Sequence, residues 1–261
     1  MGQLSKEEWL RKRLRGNFLI LDKNEFPKFT NSSYDSSLFG IINGAYAINN
    51  RLDDFLKIIG QSVVFDERAG NYRMDASNME KNKKLLLKDK ILSGLNIFEL
   101  NPRGTNHLDF LEQLGAAIPE NVKKNQIPIS GEKAINLKNW SSSINGRYDI
   151  TFSNELMDEN SGIKYGNHSA VYSAFELYSM FANITRKSGF SIHSNGSAIS
   201  SLYETYFQFI GFKVIEYFRN SDGSFRFTMI MEKLNDKQTS FDEFLYIYTE
   251  LKKRWPTRYG N

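Results

Sequence analysis

The sequence predicts an α/β fold in which an open, mostly parallel sheet ends in an antiparallel hairpin and follows an N-terminal helical extension. From residue 91 onward, short apolar runs alternate with helical segments, which is the pattern of βαβ units. The last two predicted strands are joined by Asn220-Ser221-Asp222-Gly223, and its Asp-Gly pair suits a tight hairpin turn. We therefore divide the chain into a mostly helical cap, residues 1–90, and an α/β domain with a C-terminal helix, residues 91–261.

The elements of the α/β domain follow from the length and periodicity of its apolar runs. The predicted strands are 95–99, 126–130, 148–152, 189–194, 211–218 and 224–232. The predicted helices are 105–115, 168–186, 197–210 and a last one over 240–253. A chain of 261 residues is long enough to bury the core of such a sheet.

The N-terminal extension has its own helix signals. Ser5 and Glu8 form a capping-box pattern ahead of a short helix. Apolar residues at helical spacing predict two helices between residues 38 and 59, broken near Asn49-Asn50. A short strand at 63–65 and a lysine-rich helix over 75–90 complete this part of the chain.

Composition excludes several classes of chemistry. The chain has no cysteine, which excludes disulfides, thiolate metal sites and a cysteine nucleophile. It starts without the apolar core of a signal peptide, and no apolar run approaches the roughly 20 residues of a membrane span. We therefore expect a cytoplasmic protein with no membrane partner.

The net charge of +4 is compatible with binding to nucleic acid but does not require it.

Two predicted strands end in polar residues. Asn96-Ile97-Phe98-Glu99 ends in an acid, and the strand from Tyr148 to Phe152 stops at Ser153-Asn154 before a predicted helical region. In open α/β sheets, ligands bind beyond the carboxyl ends of the strands. The sequence therefore predicts a ligand site formed around these two strand ends.

These two stretches, 96–106 and 148–156, resemble the first and fourth motifs of the class I S-adenosylmethionine-dependent methyltransferases, which have a Rossmann-like fold. Gly211-Phe212-Lys213-Val214 is similar to the entry of the sixth strand in that family, and residues 186–193 are similar to the loop into its fifth strand. The resemblance covers about residues 91–234. It implies S-adenosylmethionine as cofactor and methyl transfer to an oxygen or nitrogen of an acceptor, which we expect to be a small molecule.

The resemblance also implies which residues hold the cofactor. Glu99 stands at the acid of the first motif, and Ser153 at the end of the fourth-motif strand. In the loop after Glu99, Asn101, Arg103 and Thr105 occupy the spacing of the usual three glycines, and Gly104 is the single glycine. A one-residue insertion gives an alternative match in which Gly104-Thr105-Asn106 follow Pro102.

The acid that would bind the cofactor ribose has two candidates. Glu120 follows Gly115-Ala116-Ala117-Ile118, which lies where the second strand of the family is expected. If Ile127-Pro128-Ile129 is the second strand instead, the candidate is Glu132. Both alternatives remain open at the level of the sequence.

The expected catalytic residues are Asn154 and Glu155, which would orient the acceptor, and His193 as a general base. If the fold is right, His107, His168 and His193 all lie toward the ligand edge of the sheet. The alternative is that they are scattered hydrogen-bonding residues. They show no local spacing typical of a metal site.

Three functions follow from these patterns. The first is a methyltransferase. The second is a catalytically inactive protein with the same fold that serves in binding or assembly. The third is an RNA-binding protein that places the lysines of residues 81–90 and Lys252-Lys253-Arg254 on phosphates.

Overall fold

The computed structural model describes residues 4–21, 29, 35–75, 78–100, 106–123, 146–154, 170–194, 205, 207–219, 226–237 and 239–254. Its elements in the N-terminal part are α1 (Lys6–Arg11), β1 (Leu14–Arg15), β2 (Phe18–Leu19), α2 (Asp35–Ile48), α3 (Leu52–Gly60), β3 (Val63–Asp66), β4 (Asn71–Met74) and α4 (Met79–Asp89). The elements that follow are β5 (Ile97–Glu99), α5 (Asn106–Gln113), α6 (Glu120–Lys123), β6 (Tyr148–Asn154), α7 (Ala170–Ile184), β7 (Thr185–Ser194), β8 (Phe212–Arg219), β9 (Arg226–Lys233) and α8 (Phe241–Arg254).

A five-stranded mixed sheet forms the centre of the fold, in the order β5-β6-β7-β9-β8. Strands β5, β6 and β7 are parallel, and β9 runs antiparallel to both of its neighbours. The predicted α/β fold is confirmed. The turn at 220–223 and the predicted strand 126–130 lie outside the described residues. An isolated parallel bridge between Asn96 and Ala117 brings the chain back beside β5 after α5.

The two faces of the sheet bury separate apolar clusters because side chains alternate along each strand. Ile97, Ile150 and Phe190 face a cluster that also contains α2 and α5. Phe98 and Met229 face the opposite cluster, which is formed with α7 and α8. Each face is therefore closed by helices, as a largely parallel sheet requires.

Helix α2 connects the N-terminal part of the chain to the sheet. Its buried residues belong to the same apolar cluster as Ile150 and Phe190. Gly44 allows a close approach, since a Cβ built there would lie 3.4 Å from the Phe190 ring. The division at residue 90 stays a prediction, but α2 packs directly on the sheet.

Most of the predicted N-terminal elements are confirmed. The capping box is present, with the Glu8 N–H donating to Ser5 Oγ and the Ser5 N–H donating to the Glu8 carboxylate. The break between α2 and α3 falls at residues 49–51, and Asn50 there has a φ of 54°. The small hairpin of β1 and β2, which pairs Leu14 with Leu19, was not predicted. In the described part of the chain, no helix is both long and apolar enough to cross a bilayer.

Candidate functional site

The carboxyl ends of β5 and β6 bring Glu99 and Asn154 together. The strands are parallel and pair Glu99 with Phe152, so β6 extends two residues beyond the end of β5. Asn154 therefore lies on the same face as Glu99, and its Nδ2 donates to Glu99 Oε1 at 2.8 Å. His107, in the first turn of α5, contacts Glu99 Oε2 through Nε2 at 2.6 Å. Both oxygens of this carboxylate are hydrogen-bonded, and the residue is only 1% exposed.

The hydrogen bonds continue from Asn154 to helix α2 and across the sheet. Ser37, in the first turn of α2, donates from Oγ to Asn154 Oδ1 at 2.6 Å. Its Oγ lies 2.6 Å from Ser194 Oγ, which lies 2.6 Å from Thr228 Oγ1. A hydroxyl has one proton and an amide oxygen only accepts, so Ser37 donates to Asn154 and accepts from Ser194. We call Glu99, His107, Asn154, Ser37, Ser194 and Thr228 the carboxyl-edge network.

The carboxyl-edge network forms because its strand members are neighbours in register. Asn154 pairs with Ser194, and Ser194 pairs with Thr228. These three side chains share the face of the sheet that α2 covers, and all are buried. A row of small polar side chains thus crosses β6, β7 and β9 and ends on a carboxylate. Buried polar groups arranged in this way rigidify a site when each has a partner.

Ser153 and His193 meet on the opposite face of the sheet. Ser153 Oγ lies 2.7 Å from His193 Nδ1, and Ser191 Oγ lies 2.8 Å from His193 Nε2. The imidazole stacks on Phe207 at a centroid distance of 5.3 Å and meets the edge of Phe181 at 4.6 Å. Burial lowers the pKa of His193 to about 3.

The expected role of His193 as a general base at the ligand edge does not fit this environment. A base that works near neutral pH needs a pKa near that range and access to the proton of the reacting group. Both ring nitrogens of His193 contact hydroxyl groups, and the side chain is fully buried. The cause is strand alternation: Ser194 faces the carboxyl-edge network, so the preceding residue faces α7. The same alternation separates Ser153 from Asn154.

The structure describes one of the two candidates for the ribose acid. Glu120 is exposed at the first position of α6, three residues after Ala117 bridges to Asn96. Residues 115–118 therefore return to the sheet beside β5. This is the position expected for the second strand if Glu120 is the ribose acid. The predicted site residues that lie outside the described residues are Asn101, Arg103, Gly104, Thr105, Glu132 and Glu155.

Sequence reasoning missed Ser37, Ser194 and Thr228. Ser194 ends a predicted strand, so its place at this edge could have been inferred. Ser37 gave no signal, because it lies 117 residues before its partner Asn154. Across the residues that the structure describes, no three His, Asp or Glu side chains converge as a metal ion would need.

No protein-family model and no curated protein sequence matches the chain. Similar solved structures include a protein from Bordetella parapertussis described as a possible exported protein, with 11% identity, a TM-score of 0.36 and coverage of 61% of this chain and 68% of that one. The antibiotic-resistance methyltransferase Kmr has 10% identity, a TM-score of 0.32 and coverage of 58% and 93%.

A third structure is the 16S rRNA N2 G1207 methyltransferase RsmC of T. thermophilus in complex with AdoMet and guanosine. It has 14% identity, a TM-score of 0.29 and coverage of 60% of this chain and 40% of that one.

Proposed function

We propose that the chain is an S-adenosylmethionine-dependent methyltransferase that acts on an oxygen or nitrogen of a small-molecule acceptor. The observation that carries the proposal is the contact of Glu99 with Asn154 at adjacent carboxyl ends of parallel strands. Open α/β sheets bind ligands at this edge. The same two residues lie in the stretches that resemble the first and fourth motifs of the family, which supports the assignment.

Glu99 has the chemistry to hold the cofactor. Bound S-adenosylmethionine supplies a methyl group on a positively charged sulfonium. An ionised carboxylate has about four acceptor positions, and Asn154 and His107 use two of them. Among the residues that the structure describes, these two contacts leave acceptor positions for the ammonium group of the cofactor, and they fix the direction of the carboxylate.

Access to Glu99 requires the carboxyl-edge network to open. The Glu99 carboxylate is buried, and the hydrogen bond from Ser37 to Asn154 holds the start of α2 next to it. One Ser37 hydrogen bond contributes only about 1 kcal/mol net, so the energy of a bound cofactor can offset its loss. In this proposal Asn154 and Glu155 orient the acceptor, and His193 has no catalytic role.

Calorimetry with S-adenosylmethionine and S-adenosylhomocysteine tests the proposal. We expect wild-type protein to bind both ligands, and Glu99→Gln to bind them at least about tenfold more weakly, because a charge-assisted contact is lost. Glu112→Gln is the matched control, since this carboxylate pairs with Lys123 outside the network. Its affinity should equal that of the wild type. No heat and no thermal shift at millimolar ligand, in either the wild-type protein or Ser37→Ala, would end the enzyme proposal.

The second candidate is a catalytically inactive protein of the same fold that serves in binding or assembly. The closed state of the carboxyl-edge network favours it, because Glu99, Asn154 and Ser37 satisfy one another without a ligand. Absence of cofactor binding in both wild-type protein and Ser37→Ala would select this candidate. Binding that appears only in Ser37→Ala would show instead that α2 restricts access.

A further inference from the structure

A cavity of about 590 Å³ lies at the opposite, amino edge of the sheet. It lies between the start of β7, the start of β8, the end of α2 and the turn of the β1–β2 hairpin. Ligand sites for small molecules typically measure about 300–1,000 Å³. The side chains that decide its chemistry are Arg15, Phe18, Arg186, Phe190, Lys213 and Ile215.

Arg186 is held in place by a buried carboxylate. Asp149 accepts the Asn96 N–H at 2.7 Å through Oδ2, and its Oδ1 lies 2.5 Å from Arg186 Nε. Asp149 is only 7% exposed, so the acid is part of the scaffold. The contact is an ion pair without hydrogen-bond geometry at Nε, and the two terminal nitrogens of the guanidinium form the fork that recognises a carboxylate.

The part of the cavity wall that contains Arg186 is an irregular stretch of β7. Thr185 pairs with Tyr148 and Phe190 pairs with Ile150, so residues 186–189 stand opposite Asp149 alone. Such bulges re-aim side chains and are frequent beside functional sites. At Gly189 a Cβ would lie 2.7 Å from the Asp149 carbonyl oxygen, so only glycine fits the tight path of the chain.

The cavity combines positive charge with an apolar wall. Arg15, Arg186 and Lys213 line it together with Glu232, the one acid among the described residues of the lining. Phe18 and Phe190 meet edge to face at a centroid distance of 4.9 Å. Near the end of α2, the carbonyl groups of residues 45–47, which would repel an anion, already accept N–H groups from residues 49–51.

We propose that this amino-edge cavity is a ligand site for a small organic anion whose acidic group binds Arg186 and Lys213 and whose apolar body lies on Phe18, Phe190 and Ile215. The site is separate from the carboxyl-edge network and does not depend on methyltransferase activity. The paired Asp149 directs the guanidinium, and the aromatic wall favours ligands that carry an apolar body.

Two probes that differ in one group test the site. Anilinonaphthalene sulfonate carries an anionic group on an aromatic body, and N-phenylnaphthylamine has the same rings without the charge. We expect saturable fluorescence binding of the anionic probe at one site per chain, and binding of the neutral probe at least about tenfold weaker. Equal affinity for both probes, or no saturable binding of the anionic one, would overturn the proposal.

Variants locate the binding. Arg186→Gln and Lys213→Gln should each lower the affinity for the anionic probe at least about tenfold. Lys187→Gln, on the same bulge but outside the cavity lining, should leave that affinity unchanged. Arg186→Gln leaves Asp149 without its ion pair and could unfold the chain; Lys213 is exposed, so Lys213→Gln retains the fold and keeps the test decisive. An unchanged affinity in Lys213→Gln, or an equal loss in Lys187→Gln, would refute the site.

Discussion

The buried imidazole of His193 should make the stability of the protein depend on pH in a way that one substitution removes. Burial lowers the pKa of His193 from 6.5 to about 3. Below pH 6.5 the unfolded chain binds a proton at this residue, while the folded chain does not until pH falls to about 3. Stability is therefore full above pH 6.5 and is lost as the pH falls through the window from 6.5 to 3.

The magnitude follows from the two pKa values. Each pKa unit corresponds to about 1.36 kcal/mol. At pH 5 the unfolded-state pKa lies about 1.5 units above the solution pH, so His193 costs the protein about 2 kcal/mol relative to pH 7. For a domain whose whole stability is typically about 5–15 kcal/mol, this is a large fraction.

The assay is urea unfolding of wild-type protein and His193→Asn at pH 7 and pH 5. Asparagine keeps a polar group between Ser153 and Ser191 but does not titrate. Other titrating groups change alike in both proteins, so their contributions cancel in the difference. We expect the wild type to lose about 2 kcal/mol more than the variant between the two pH values. Equal losses would refute the assignment of a neutral, desolvated His193.

Two further predictions concern packing and hydrogen bonding. Gly189→Ala should lower the free energy of unfolding by about 1–3 kcal/mol, measured in urea, because the added Cβ meets the carbonyl oxygens of Asp149 and Arg186 at 2.7 and 2.9 Å. Ser37→Ala should lower the free energy of unfolding by about 1–3 kcal/mol by leaving buried partners unsatisfied. Ser36→Ala should lower it less, because the Ser36 hydroxyl is only half-buried and lies 3.2 Å from Thr228 Oγ1. Equal losses in the two serine variants would contradict the buried network.

The strands of the sheet were predictable because their signal is local. Apolar runs and the acid at Glu99 marked β5, and the polar stop at Ser153-Asn154 marked the end of β6. The hairpin of β1 and β2 was not predictable, since strands of two residues are too short to show a period of two. The start of β7 was also missed, because residues 186–189 form a bulge and break the alternation.

The candidate site was predictable only in part. Alternation along a strand places successive side chains on opposite faces, and the side chains of Ser153 and Asn154 lie on different faces of the sheet. The sequence held the information needed to separate them. It held none for Ser37, since no local pattern links a serine of α2 to a strand that begins more than 100 residues later. Contacts of that range follow from how helices pack on the sheet.

The buried row of polar side chains has an evolutionary consequence. It consists of Asn154, Ser194 and Thr228 on the sheet and Ser37 on α2. Each member is satisfied by the next, so an apolar replacement at one position leaves a buried donor or acceptor without its partner. Replacing the set together by apolar residues of similar shape removes that penalty within the row and leaves only the contact of Asn154 with Glu99 unmatched. Homologous sequences should therefore vary at these four positions in concert, and an alignment should show them as covarying pairs.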